Sequence, residues 1–95
     1  MECNEITFTG HAVRRMFERH IEHDDIIEVI RHGEVVEEYP DDRPFPSCLL
    51  FHVVRHRALH VVAARDPGRG SCYVITVYEP DDRLWDDSFR RRKKQ

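Results

Sequence analysis

The chain has 95 residues, 40% hydrophobic and 35% charged, with a formal net charge of −3. That length supports one hydrophobic core, so residues 1–95 are expected to form a single domain. No apolar run approaches the roughly 20 residues that span a bilayer, and the acidic start Met1–Glu5 lacks an apolar h-region, so a cytoplasmic location without membrane contact is expected.

The first helix is expected from about Gly10 to Glu22, with Thr9 as its N-cap. His11, Arg15 and Arg19 recur every fourth residue and form a slowly drifting stripe. Ala12, Val13, Met16, Phe17 and Ile21 take the other side at core-facing spacing. An imidazole above two guanidiniums can hold a phosphate and move a proton near it. The plainer alternative is a solvated face whose arginines pair with acids. A second helix follows from about Asp25 to His32. Asp24 or Asp25 can cap it, Asp25 with Glu28 resembles a capping box, and Gly33 suits a left-handed C′ position.

Beyond Gly33 the period changes from helical to two. Val35-Val36 and Tyr39 suggest a short strand, and Pro40–Pro46 is a loop. Three stronger strands are expected at Cys48–Arg55, Leu59–Arg65 and Cys72–Glu79. The connection Arg55-His56-Arg57-Ala58 must be tight although it lacks glycine, whereas Asp66–Gly70 is rich in turn residues. Pro80 ends the last strand. The expected fold is therefore α+β, with two N-terminal helices on one face of a mainly antiparallel three- to four-stranded sheet. Ala12, Met16, Phe17, Ile30, Phe51, Val61, Ile75 and Val77 are its expected core. Alternation assigns His52, His60, Thr76 and Tyr78 to the other sheet face. That face is partly apolar, so ordinary strand threonine and tyrosine are an equal reading.

Trp85 and Phe89 can anchor a last helical turn on the sheet. Arg90–Lys94 then places five positive charges in a row, with Arg91 and Arg92 as candidate RNA contacts. A solvated, flexible end over residues 90–95 is the ordinary alternative. The basic residues are all arginine apart from Lys93 and Lys94, which favours bidentate contacts to phosphate or carboxylate. The three cysteines have no C-x-x-C spacing, which argues against a disulfide framework and makes Cys48 and Cys72 small buried apolar groups. The seven histidines match no metal motif, so no metal and no cofactor are expected.

Gly10-His11-Ala12-Val13-Arg14-Arg15-Met16 resembles the opening H-A-x-x-R-M signature of a small prokaryotic family, domain of unknown function 4258. Arg19 and Ile21 extend it; Gly33 and Tyr39-Pro40 fit its middle, and Leu59-His60-Val61-Val62 fits its central strand. Ile75–Pro80, with Trp85 shortly after, fits its ending, so the resemblance covers about residues 6 to 90. It implies a domain similar to RelE-like toxins, whose implied activity is metal-independent RNA cleavage. It further implies RNA or the ribosome as target and a small zinc-finger or helix-turn-helix antitoxin as partner. By position, His11, Arg15, Arg19, His60 and Tyr78 match the family's polar residues. Two features depart from the pattern: Arg55-His56-Arg57 replaces a glycine-containing turn, and the net charge is acidic.

The implied chemistry needs few parts. The neighbouring 2′-hydroxyl attacks phosphorus, a base takes its proton, an acid protonates the leaving 5′-oxygen, and cations stabilise the added charge. His11 and His60 are the expected proton carriers, Arg15 and Arg19 the phosphate clamp, and Tyr78 the group that orients the nucleophile or stacks on a base. Two other readings stay open. One is a non-catalytic module whose arginines dock a protein or RNA; the other is a degenerate toxin-like fold that sequesters an antitoxin.

Overall fold

The chain begins with a strand, not a helix. A computed structural model describes residues 1–93. The elements in order are β1 (Glu5–Phe8), α1 (Gly10–Arg19), α2 (His23–His32), β2 (Glu34–Tyr39), β3 (Ser47–Val54), β4 (Arg57–Arg65) and β5 (Ser71–Tyr78). The sheet order is β1-β5-β4-β3-β2. β1 pairs parallel with β5, and every other pairing is antiparallel. This overturns the expected mainly antiparallel sheet of three or four strands with two N-terminal helices on one face: the α+β domain has five strands in a mixed sheet, and the first strand precedes both helices. The missed strand is short, and Glu5-Ile6-Thr7-Phe8 alternates over only four residues. Among the described residues, no helix is long and apolar enough to cross a membrane.

α1 ends earlier than expected because His20 turns left-handed, at φ 54°, and its N–H closes on the Met16 carbonyl. Ile21 then turns inward and is buried. Glu22, not Asp24 or Asp25, is the N-cap of α2, and its N–H donates to the Asp25 carboxylate at 3.2 Å. The Asp25–Glu28 capping box is thereby corrected to Glu22 and Asp25. Gly33 is extended, with φ −69°, and so is not the left-handed residue expected. Its need is space: an added Cβ would press on the Val29 carbonyl oxygen and lie 3.2 Å from the Phe51 carbonyl oxygen.

The turn without glycine does adopt the conformation that glycine usually supplies. Val54 pairs with Arg57, leaving Arg55 and His56 as a two-residue hairpin loop. Both have positive φ, 48° and 70°, as that twist requires. The Arg55 guanidinium donates to buried Asp25 at 2.6 Å, which ties the strained loop to the start of α2.

One sheet face packs on the helices through Leu50, Leu59, Val61, Ala63, Val74 and Val77 against Ala12, Ile26, Val29 and Ile30. Four of the eight expected core residues, Ala12, Ile30, Val61 and Val77, lie in this layer. Phe51 is buried on the opposite face beside Phe89, while Met16 and Ile75 are half-buried. Phe17 is 80% exposed, the clearest failure of the expected core. α1 packs on β5 near the sheet edge and fully buries only Ala12, so the flank carrying Phe17 has nothing beneath it.

Cys72 is fully buried but not a free thiol: its sulfur is bonded to Cys3, 69 residues away. No local spacing signals this pair, because the partners meet only through the β1–β5 pairing. Disulfides are rare in a reducing cytoplasm, so this bond runs against the expected location.

Candidate functional site

The stripe on α1 is held against β5 by its own cap. The Thr9 hydroxyl accepts from Ala12 N–H at 3.2 Å and donates to the Ile75 carbonyl at 3.2 Å. The Thr9 N–H donates to the Val74 carbonyl at 3.1 Å. From there α1 runs beside the second half of β5. At its far end the Arg57 guanidinium donates to the Arg19 and His20 carbonyls at 2.9 and 2.8 Å and to Glu79 at 2.8 Å. The start of α1 is therefore fixed to β5, and its end to Arg57 of β4, which also holds Glu79 just beyond β5.

A bulge in β5 decides which side chains face that helix. Thr76 pairs with Val62 and Val74 with Ala63, so Ile75 has no partner on β4. The extra residue shifts the alternation. Val74 and Val77 both enter the core, while Tyr73, Thr76 and Tyr78 share the opposite face. The expected apolar row of Tyr73, Ile75 and Val77 is corrected accordingly.

The result is a cleft of about 400 Å³ between α1, the end of β5 and the C-terminal segment. Arg15 and Arg19 line it from the helix, Thr76 and Tyr78 from the strand, and Trp85 and Arg92 from the segment. His11 stands at its edge, with Nε2 3.2 Å from the Thr76 hydroxyl. Six of the expected site residues thus meet in one place. Arg91 does not join them: it is exposed, and its carbonyl accepts from Asp86 N–H at 2.9 Å to shape the terminal turn. Of the basic run, Lys94 lies outside the described residues, as does Gln95. Arg90 is engaged elsewhere, with Glu34 at 2.8 Å and over the Phe51 ring at 4.9 Å.

Acids also enter the cleft, but each is held. Glu79 is paired with Arg57, and Asp81 with Arg83 at 2.9 Å. Side-chain and backbone hydrogen bonds from Arg83 hold the Asp81 carboxyl below its usual range. Arg15 has only a loose contact with Glu18 at 3.8 Å, both side chains well exposed, which contributes little. Among the described residues, Arg19 and Arg92 have no carboxylate within 4.0 Å. Arg92 instead lies over the Trp85 ring at 4.9 Å. The cleft is locally cationic in a molecule of negative net charge.

His60 occupies a different position from His11. It is fully buried, under Trp85 at 4.6 Å between ring centroids and beside Phe51 and Tyr78. Its Nε2 lies 2.7 Å from the Phe89 carbonyl, which can only accept, so Nε2 carries the proton. Burial lowers its pKa below the usual 6.5, so the ring is neutral and Nδ1 is an acceptor. The Tyr78 hydroxyl, 3.3 Å away, therefore donates to Nδ1. Burial also raises the Tyr78 pKa, which keeps that proton in place. The remaining lone pairs of the Tyr78 oxygen are then its acceptors. Tyr78 lines the cleft, and His60 stands behind it without lining it.

Sequence reasoning missed Arg57 and the two acids. No period marks Arg57; its role follows from a hairpin turn that brings it to the end of α1. Among the described residues, no three His, Cys, Asp or Glu side chains are grouped to hold a metal ion.

The family model for Domain of unknown function (DUF4258) matches residues 8–79, and the chain belongs to that family. The matched span carries the α1 stripe, His60, Thr76 and Tyr78, and ends before Trp85 and Arg92. No curated protein and no solved structure matches the chain.

Proposed function

We propose that this DUF4258 domain is a toxin-like, metal-independent endoribonuclease of the RelE-like kind, paired with a small antitoxin of zinc-finger or helix-turn-helix type. The observation that carries this reading is the convergence of Arg15, Arg19 and Arg92 with His11, Thr76 and Tyr78 around one cationic cleft. Three guanidiniums suit a phosphodiester, whose equatorial oxygens gain charge as a fifth bond forms at phosphorus. Exposed His11 is the general base for the 2′-hydroxyl, and Thr76 fixes its ring. The Tyr78 oxygen accepts a hydrogen bond from the nucleophile and orients it, because its own proton is committed to His60. The 2′-oxygen bonds to phosphorus as the bond to the 5′-oxygen breaks. The leaving oxygen takes its proton from water or from the imidazolium of His11, leaving a 2′,3′-cyclic phosphate. In this scheme His60 acts through Tyr78 as a positioning residue.

The test is cleavage of end-labelled mRNA, with and without ribosomes, by wild type and Arg15→Ala. Losing one charge-stabilising donor should slow cleavage by roughly 2–4 kcal/mol. Lysine at that position should rescue poorly if both guanidinium nitrogens are used. EDTA should not inhibit. Equal cleavage by wild type and Arg15→Ala would remove Arg15 from the chemistry.

A non-catalytic module that docks RNA or a partner protein is the second reading. The burial of His60 favours it, since His11 is then the only imidazole at the cleft among the described residues. Binding of RNA without cleavage would decide for this reading.

A further inference from the structure

We propose that an apolar hollow next to the cleft is a nucleobase subsite. The groove along β5 would then take single-stranded RNA, with a phosphate on the arginines and a neighbouring base on Phe45 and Tyr73. This inference rests on the RNA reading above and adds where the base is held.

The hollow measures about 360 Å³ and is walled by Pro44, Phe45, Ala64, Tyr73 and Ile75. That volume lies at the lower end of the range for small-ligand pockets, roughly 300–1,000 Å³. The rings of Phe45 and Tyr73 are already stacked, 5.7 Å apart and within 10° of parallel. Both are half-buried, so part of this stacked pair stays accessible for a further ring to stack against. A base stacks on such a platform at little ordering cost, whichever base it is. The rim supplies the polar groups that apolar packing lacks. Asp42, also at the hollow, accepts from the Ser47 hydroxyl through Oδ2, leaving Oδ1 to accept from a base amino group. Arg43 is exposed at the same rim and, among the described residues, has no carboxylate within 4.0 Å. It offers charge to a second phosphate.

Continuity with the cleft selects a nucleic-acid strand over an isolated apolar group. The bulge at Ile75 places Tyr73 on the same sheet face as Thr76 and Tyr78. At about 3.3 Å per residue, Tyr73 and Thr76 are separated by roughly 10 Å. Neighbouring nucleotides of one strand can reach both. Thr9 lines the hollow and caps α1, and His11, two residues on, reaches Thr76. Aromatic pair, imidazole and guanidiniums thus follow one another along β5, in two hollows lined by adjacent residues of that strand, Ile75 in one and Thr76 in the other.

The test uses the isotope-labelled full chain and NMR. The four nucleoside monophosphates should shift the ring signals of Phe45 and Tyr73, and inorganic phosphate alone should not. Those shifts should persist in Arg15→Ala, because the platform does not depend on the clamp. Fluorescence anisotropy with a short single-stranded RNA should show affinity falling roughly 5- to 150-fold in Tyr73→Leu, from the loss of one stacked base. Phe45→Leu should act in the same direction and guards against misfolding of the first variant. Deoxynucleotides shifting the rings equally would support recognition through the base face. Ring shifts in a protein that fails to bind RNA would sink the RNA reading while retaining the base subsite. No ring shift with any of the four nucleotides would overturn the proposal. So would wild-type RNA affinity in both leucine variants, or ring shifts from N-acetyl-leucinamide alone, which would assign the hollow to an apolar peptide side chain.

Discussion

Acid should weaken this fold through His60, and the sign follows from the structure. The ring is fully buried, donates to the Phe89 carbonyl at 2.7 Å and accepts from Tyr78 at 3.3 Å. Burial is the main reason its pKa lies below 6.5; Arg92 pushes the same way, while the Phe89 carbonyl and Glu37 oppose. The unfolded chain protonates this imidazole near pH 6.5, whereas the folded chain protonates it only at lower pH. Between those values the unfolded state holds more protons, so stability falls as pH falls. His60 therefore contributes fully above about pH 6.5 and loses its contribution as pH drops toward the folded pKa. One proton sets the steepest slope, about 1.4 kcal/mol per pH unit. His60→Gln removes the titration and keeps a donor for the Phe89 carbonyl. Urea unfolding of both proteins, followed by circular dichroism from about pH 8 to pH 5, separates this slope from the background. The wild-type advantage should be constant above about pH 7 and shrink below about pH 6.5. The rest of the chain is common to both proteins, so its contribution cancels in the difference. A difference that stays constant to pH 5 would refute a neutral, buried His60.

Cys3→Ser should lower stability by roughly 4 kcal/mol on the chain-entropy estimate for a 69-residue separation; reductant should produce the same loss in wild type and none in the variant, as read from urea midpoints. Phe17→Asp should change stability by no more than about 0.5 kcal/mol, because the ring is 80% exposed; a larger loss in the monomer would mean that Phe17 packs on something. His56→Gly should stabilise by about 0.5–1 kcal/mol, since relief of the left-handed conformation at φ 70° outweighs the added freedom of the unfolded chain. Thermal unfolding checks it, and destabilisation would count against a strained loop.

Much that depends on neighbouring residues was legible in the sequence, although the cap of α2 and the conformation of Gly33 were not. The α1 stripe, its Thr9 cap and the change of period after Gly33 are local, and they appear in the structure. So do the three long strands, within two residues at their ends. Most of what failed depends on distant pairing. β1 is too short to declare itself and is stable only beside β5. The Cys3–Cys72 bond depends on that same pairing. The bulge at Ile75 is invisible to alternation, because Tyr73-Val74-Ile75-Thr76-Val77-Tyr78 reads as an unbroken strand. Trp85 and Phe89 were legible as anchors on the sheet, but not as the groups that bury His60, since the histidine and its aromatic cover lie in separate stretches.

The position of β1 is also what makes the cleft possible. A parallel strand at the edge must be followed by a crossover, and here the chain leaves β1 at Phe8, caps at Thr9 and enters α1 with no loop between. That abrupt join fixes the first turn of α1 next to Val74 and Ile75, just before the strand presents Thr76. Register then does the rest: His11 meets Thr76, while Arg15 and Arg19, one and two turns further on, flank Tyr78 and Glu79. Helix and strand advance in the same direction, so the stripe stays beside the polar row without crossing it. Loosening β1 should therefore misplace the guanidiniums before it unfolds the sheet. The disulfide at the start of β1 thus supports the geometry of the cleft from the opposite end of the strand.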